Sequence, residues 1–276
     1  MIVIYHADCV DGFCSAFLLH LCYGDGVEYV PHKYVPHKYG MEPLGDESVI
    51  NEVVYIVDFS FNADVLVHWS TLCKKLVVLD HHKTALHVGE LISDGIIEGV
   101  FDLERSGARL TYDWLTYVEG YCLEDEEELV NYVQDRDLWK FELENSEWVN
   151  LAIQSYPMTF ESWCSMPSIS TLELEGGVIE RYKDALIAAH VKEMVVDDKV
   201  TGDLVPYVTC SCPQLVSELG NIVSMGYPYA IIDNSRGGYS LRSQAVGGVD
   251  VSVIAKRFGG GGHKHAAGFI LPGEGV

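Results

Sequence analysis

Positive charge is scarce in this chain: its 276 residues carry 18 Lys and Arg against 41 Asp and Glu, a formal net charge of −23 with the histidines neutral. A surface so acidic repels the backbone of long DNA or RNA unless cations or a local basic patch intervene, so non-specific duplex binding is disfavoured. A small anionic substrate held through bound metal is not. Long apolar runs are lacking as well. No stretch approaches about 18 uninterrupted apolar residues, and the opening MIVIYHADC has neither a basic leader nor a long apolar segment, which reads as a soluble, unexported chain that spans no membrane. Paired cysteines are missing too: eight are scattered along the chain, and the closest pair, Cys210 and Cys212, is C-x-C and not C-x-x-C. That spacing argues against a disulfide scaffold and a structural zinc site, leaving reduced cytoplasmic thiols. Apolar material, in contrast, is plentiful. A hydrophobic fraction of 48% with 16 tyrosines excludes a disordered acidic chain, and the length suits one large domain or two smaller ones.

Short apolar runs alternate with helical patterns through the first half, as in βαβ units around a mostly parallel sheet. The runs IVIY (2–5), VVYIV (53–57) and LVVL (76–79) are nearly all apolar, as strands covered on both faces must be, and they end at His6, Asp58 and Asp80. In open α/β sheets ligands bind beyond the strand C-termini, so three ionisable groups arriving there in succession carry meaning. Helical patterns cover 12–22, 62–73, 106–118 behind Ser106 as N-cap, 123–134 behind a carboxylate run, and 177–196. Beyond them PYVTC, PYAII and GGYSLRSQ read as strands, with helices near 213–225 and 250–258. The expectation is an α/β protein: a mostly parallel-sheet domain with helices on both faces over 1–176, a linker helix over 177–198, and a smaller α/β domain over 199–276. A tandem pentamer, VPHKYVPHKY, fills 30–39. It reads as a duplicated edge strand or loop and not as a metal site built from His32 and His37, though Lys33 and Lys38 add a small positive spot.

The chemistry-bearing residues cluster. His6, Asp8, Cys9 and Asp11 lie between a buried strand and a helix start, although Asp11 alone could cap that helix. Asp80-His81-His82 follows LVVL directly, and with Asp58 it forms a set of nitrogen and oxygen donors suited to Mn²⁺ or related divalent ions. Asp135-Arg136-Asp137 ends the carboxylate-led helix and offers further carboxylates or an ion-paired terminus. The stretch GGGGHKHAAG, Gly259 to Gly268, is the most basic neighbourhood of the chain, with Arg242, Lys256, Arg257, His263, Lys264 and His265. Its glycines Gly260, Gly261 and Gly262 would let backbone amides approach an anion. Ser106 to Arg109, at a helix start, is either a second phosphate cradle or only an N-cap.

Taken together and in this order, the five motifs resemble the DHH phosphoesterase superfamily, which includes RecJ-type exonucleases, oligoribonucleases, cyclic-dinucleotide phosphodiesterases and family II inorganic pyrophosphatases. The glycine-rich stretch is similar to the loop of the DHH-associated substrate domain. The resemblance implies two lobes with a two-metal centre, usually Mn²⁺ with Mg²⁺ or Co²⁺ as substitutes, at the sheet edge of the first. His6, Asp8, Asp11, Asp58, His81 and Asp135 would be the metal ligands, with Asp58 bridging. Asp80 would orient His81, His82 would sit near the phosphate or leaving oxygen, and Asp137 would join the catalytic set. Ser106, Arg242, Gly260, Gly261, Gly262, His263 and His265 would bind substrate. The first loop departs from the family pattern, in which two aspartates stand one residue apart: Asp8 and Asp11 are three apart, and Cys9 holds the place of the expected carboxylate. Either Asp8 swings in or Cys9 approaches the metal, and the softness of thiolate favours Asp8 for Mn²⁺.

The implied activity is a Mn²⁺-dependent phosphohydrolase acting on a short single-stranded oligonucleotide, a dinucleotide or a 3′-phosphorylated nucleotide. Long duplex DNA and membranes are not expected partners, and a homodimer is open to it. The alternatives are a phosphoanhydride hydrolase acting on pyrophosphate or polyphosphate, and a catalytically silent nucleotide-binding protein of the same fold.

Overall fold

The computed structural model describes residues 1–24, 33–38, 41–197 and 199–271. His32, the start of the tandem pentamer and the side chain of Lys33 lie outside the described residues. The chain divides into two compact units, Met1–Gly177 and Val178–Val276.

The first unit begins with β1 (Ile2–His6), α1 (Val10–Tyr23), β2 (Lys33–His37) and α2 (Asp46–Val49). Then come β3 (Val53–Val57), α3 (Ala63–Leu72), β4 (Lys75–Asp80), α4 (His87–Ser93) and β5 (Glu98–Phe101). The strands form one sheet in the order β2-β1-β3-β4-β5 with every pairing parallel. Alternation along the strands feeds two separate cores. Val3, Tyr55, Val57, Val77 and Leu79 pack with α1 on one face, while Ile2, Ile4, Val54, Ile56 and Val78 pack with Leu66, Trp69 and Val88 on the other. This two-sided burial is why the sequence shows continuous apolar runs in place of alternation. The register sets Tyr5 opposite Val57 and Val57 opposite Leu79, so the chain leaves β1, β3 and β4 along one edge.

The rest of this unit is helical: α5 (Gly107–Asp113), α6 (Glu127–Asp137), α7 (Ser146–Ser155), α8 (Phe160–Cys164) and the start of α9 (Ile169–Val191). Two helical expectations are corrected here. The 106–118 pattern forms α5 only to Asp113 and then widens into a π turn over Trp114–Val118. That turn brings Trp114 Nε1 within 3.0 Å of Glu119 Oε1, and the same carboxylate accepts hydrogen bonds from Tyr23 and Tyr55. The helix read over 177–196 begins earlier, at Ile169, and stops at Val191. Gly176 and Gly177 look like a helix boundary in the sequence, yet they serve close packing inside α9: a Cβ at Gly176 would lie 1.8 Å from the Trp148 carbonyl oxygen.

The second unit adds β6 (Val195–Asp197), β7 (Val205–Thr209), α10 (Val216–Val223), β8 (Ala230–Asp233), β9 (Gly238–Arg242), α11 (Val251–Arg257), β10 (Gly261–Gly262) and β11 (Ala266–Ile270). Its sheet runs β10-β11-β9-β8-β7-β6 and is mixed, with β7 and β8 parallel and the other pairs antiparallel. Val195–Asp197, read as part of a linker helix, is the edge strand β6. The short strands β5, β6, β10 and β11 carry no apolar run long enough to announce themselves in the sequence. Among the described residues no helix is long and apolar enough to cross a membrane, and none of the eight cysteines is in a disulfide.

Candidate metal centre

The shared strand edge carries the candidate site. Asp58 is the first residue beyond β3, 1% exposed, and its backbone adopts φ 52, a left-handed conformation that costs energy outside glycine. One oxygen, Oδ2, lies 3.4 Å from His6 Nδ1, and the other, Oδ1, lies 3.1 Å from His81 Nε2. The same imidazole nitrogen is 3.7 Å from Asp11 Oδ2 and 3.6 Å from Asp137 Oδ2. Asp80, the last residue of β4, is fully buried; its Oδ1 accepts hydrogen bonds from the amides of His81 at 2.8 Å and His82 at 3.2 Å, and pairs with His82 Nδ1 at 2.7 Å. Asp80 therefore orients His82, and shapes the turn that delivers His81. Among the described residues of the first unit, three groups offer ligand atoms within 4.8 Å of one another: His6 with Cys9 and Asp58, Asp11 with His81 and Asp137, and Asp58 with Asp80 and His82.

Two glycines make this convergence sterically possible. At Gly12, a Cβ would lie 2.4 Å from the His6 carbonyl oxygen and 2.8 Å from His6 Cβ, so the start of α1 can lie against the first loop only without a side chain. At Gly107, a Cβ would lie 2.5 Å from Asp58 Cβ and 2.9 Å from Asp11 Oδ2. Gly107 opens α5, and its amide donates to Asp11 Oδ2 at 2.6 Å while the Ala108 amide donates to Oδ1 at 3.0 Å. Asp11 thus caps α5 from a different helix, satisfying free amides and the positive end of the helix dipole at once.

Electrostatically the cluster has an excess of buried carboxylate. Burial, followed by the charges of Asp58 and Asp137, pushes the Asp11 carboxyl well up. Burial raises Asp137 as well, against the opposing pull of His81. For Asp58 burial again opposes ionisation, but contacts with His6 and His81 prevail and hold it well below the usual carboxylate range; His82 does the same for Asp80 more weakly. Burial works against charging His81 and His82, yet Asp137 and Asp58 raise the first and Asp80 the second. The Cys9 thiol is pushed up by burial and then by the surrounding carboxylates. Asp58, Asp80 and Asp137 each keep a buried Oδ2 that receives no hydrogen bond, which is costly unless a cation compensates it. Oxygen and nitrogen donors with one sulfur fit a divalent metal ion.

No protein-family model matches the chain. By sequence it is 28% identical over 298 residues to an uncharacterized protein of Acanthamoeba polyphaga mimivirus, covering 99% of this chain and 68% of that protein. It is 26% identical over 311 residues to the oligoribonuclease NrnB of Bacillus subtilis strain 168, covering 98% of this chain and 73% of that one. Among solved structures it shares the fold of exonuclease RecJ bound to manganese, with a TM-score of 0.51 at 14% identity over 98% of this chain and 85% of that chain. The similarity to NrnB and the RecJ-like fold support the resemblance to the DHH phosphoesterases that the motifs carry.

In the first loop the structure separates the residues expected as ligands. Asp8 turns outward: its side chain is 77% exposed, its backbone sits at φ 56, and it pairs with Lys38. Cys9 stands in the cluster in its place. Asp135 is also displaced from the expected role, because its carboxylate accepts hydrogen bonds from the amides of Glu142 at 2.9 Å and Leu143 at 3.2 Å and thereby braces the turn after α6. Asp137, two residues on, is the one that reaches His81. Ser106 is fully buried, its hydroxyl caps the Arg109 amide at 3.3 Å, and the neighbouring amides donate to Asp11. Arg109 pairs with Asp113 and Glu127. His37 is buried against Phe59 and Phe61, outside the cluster.

The glycine-rich stretch of the second unit is accounted for by its own sheet. A Cβ at Gly260 would lie 2.0 Å from the Gly268 carbonyl oxygen, Gly262 has φ 134, and the amides of Gly259, Gly260 and His263 bond to Lys256, Ala255 and Ala266. Gly261 pairs with Gly268 in the β10–β11 ladder. The expected open cradle of amides over Gly260 to Gly262 is therefore largely a tight hairpin. His265 Nδ1 pairs with Ser243 Oγ at 2.9 Å, and Arg242 reaches Ser217 Oγ at 3.2 Å. His263 is half-buried, while Lys256, Arg257 and Lys264 are exposed. What the sequence did not show is the close approach of Gly107 to Asp58 and Asp11; of the two alternatives left open in the first loop, the structure places Cys9, and not Asp8, beside His6 and Asp58.

Proposed function

We propose that this chain is a divalent-metal-dependent phosphohydrolase that cleaves phosphodiester bonds in a small nucleotide substrate, with short RNA ahead of dinucleotides and 3′-phosphorylated nucleotides. The observation that carries the proposal is Asp58, whose two oxygens face different donor groups, His6 with Cys9 on one side and His81 with Asp11 and Asp137 on the other. Such a carboxylate suits a pair of cations. Manganese is the first metal to test, because the solved RecJ structure of the same fold is bound to manganese, with Mg²⁺ and Co²⁺ as substitutes. Short RNA comes first because the Bacillus subtilis relative is an oligoribonuclease. A net charge of −23 works against long polymers.

When bound, divalent cations at such a centre supply water of lowered pKa and neutralise charge on the phosphate oxygens during in-line attack, so no nucleophilic side chain is needed. The residues provide the rest. Asp58, Asp11, Asp137, His6 and His81 hold the site with their positions set by the sheet edge and by α5. Asp80 fixes the His82 ring through Nδ1 and favours its protonated form, and we assign His82 to the phosphate or to the leaving oxygen, where it can donate a proton. In the second unit Lys256, Arg257 and Lys264 are exposed positive charges.

The test uses the purified full chain, stripped of metal and then given Mn²⁺, Mg²⁺ or Co²⁺, against dinucleotides, short labelled RNA, pyrophosphate and long duplex DNA. Metal-dependent cleavage of the short nucleotides is expected. Binding without turnover in excess metal would refute the hydrolase and leave a nucleotide-binding protein of this fold. Preferential release of phosphate from pyrophosphate would replace the diesterase reading with the phosphoanhydride one.

A further inference from the structure

Cys9 occupies the place where a carboxylate is expected, and its surroundings give the thiol a specific use. It is the N-cap residue of α1, with extended backbone at φ −120 and ψ 134, but its side chain makes no capping hydrogen bond. Its carbonyl accepts the Phe13 amide at 2.9 Å, so the backbone alone closes the first turn. The sulfur instead joins His6 and Asp58, all three offering a ligand atom within 4.8 Å of one another. Asp58 is 1% exposed, and its Oδ2, on the His6 side, receives no hydrogen bond. Asp8, the only other carboxylate in the loop before Asp11, is engaged with Lys38 at the surface.

Resting on the metal centre proposed above, we infer that Cys9 is a thiolate ligand on the His6–Asp58 side, giving that position nitrogen, sulfur and oxygen donors. A thiolate shifts preference from manganese toward zinc-like and cobalt-like ions, whereas the Asp11–His81–Asp137 side keeps the oxygen-rich set that manganese favours. The two positions of one centre then differ in metal selectivity. Ligation breaks the S–H bond, forms the sulfur–metal bond and releases the proton to solvent, so uptake at this position is accompanied by proton release.

The experiment titrates the metal-free full chain with Co²⁺ and follows the near-ultraviolet sulfur-to-cobalt charge-transfer band, then displaces cobalt with Zn²⁺ or Mn²⁺. The band is expected in the natural sequence and in a Cys122→Ser, Cys164→Ser double variant that removes the exposed thiols, and absent from Cys9→Ser. Cys9→Asp should lack the band and reduce the Zn²⁺ over Mn²⁺ preference by at least the roughly 10–100-fold that loss of a ligand's supporting partner costs. Thermal melting of the metal-free variants checks that each is folded. Cobalt binding without the band, a band that survives Cys9→Ser, or an unchanged preference in folded Cys9→Asp overturns the inference while leaving the hydrolase standing if Mn²⁺ supports cleavage. Failure of the natural chain to bind any divalent ion would overturn the metal centre itself.

Discussion

Gly107→Ala is the sharpest test of how the centre is assembled. The added Cβ would stand 2.5 Å from Asp58 Cβ, 2.9 Å from Asp58 Cα and 2.9 Å from Asp11 Oδ2. Carbon atoms in ordinary contact sit about 3.5–4.0 Å apart, so something must move by roughly 1 Å. Asp58 yields poorly, being buried at φ 52 with one oxygen 3.1 Å from His81. Asp11 can retreat only by stretching its bonds to the Gly107 and Ala108 amides, now 2.6 and 3.0 Å. Overpacking of this kind costs about 1–3 kcal/mol of stability, whereas a 1 Å misplacement of a reacting group costs about 10²-fold in rate. The variant should therefore stay folded, melt only several degrees lower, and lose about two orders of magnitude in kcat/KM on short RNA with Mn²⁺, together with Mn²⁺ affinity. Gly89→Ala is the control: in α4 its Cβ would meet Phe101 Cδ1 at an ordinary 3.5 Å, so activity should hold and stability should not fall. Full Mn²⁺ affinity and full activity in folded Gly107→Ala would refute the claim that the close approach of Asp11 and Asp58 builds the site.

Three further outcomes are expected. Asp135→Ala should lower stability by about 1–3 kcal/mol in urea unfolding, since it strips the acceptors from two turn amides. Its Mn²⁺ affinity should fall far less than that of Asp137→Ala, and equal losses in the two variants would return Asp135 to the ligand set. Glu119→Ala leaves Tyr23, Tyr55 and Trp114 without their common acceptor and should cost about 1–3 kcal/mol with metal binding intact; a variant as stable as the natural chain would show that network to be idle. Burial lowers the His37 pKa below its ordinary 6.5, against a weaker hydrogen bond to the Met41 backbone. The folded protein then binds that proton less readily than the unfolded chain, so this contribution to stability is complete above about pH 6.5 and is lost as pH falls through the folded-state value. His37→Phe should flatten the acid side of the stability profile relative to the natural chain, as measured by denaturant unfolding across pH, and an identical slope in both would count against the assignment.

The parallel sheet was readable because its strands are buried on both faces and so carry unbroken apolar runs, with Ile2 to Ile4 and Val53 to Val57 as clear cases. His6, Asp58 and Asp80 to His82 were readable as candidates because each directly follows such a run. What stayed hidden depended on close approach. The helical pattern read from 177 extends back to Ile169, with Gly176 inside it in close contact with Trp148. In the stretch read as an anion cradle, Gly260 packs against Gly268 and Phe269 while Gly261 and Gly262 pair with Gly268 and Ala267 in a hairpin. Between Asp135 and Asp137 the sequence offers two carboxylates in one turn, and only the direction of α6 separates the one that reaches His81 from the one that braces the turn.

By itself, then, the order of residues determined the α/β class, the order of the motifs and the edge at which ionisable groups gather, because strand burial and strand ends leave local, one-dimensional marks. Tertiary structure alone decided which donor of each pair turns inward: Cys9 over Asp8, Asp137 over Asp135, and His82 as the partner of Asp80. Those choices rest on angles and on the absence of a single Cβ at Gly12 and Gly107. Contacts between residues as much as 97 positions apart, such as Asp11 with Ala108, leave no trace in local sequence.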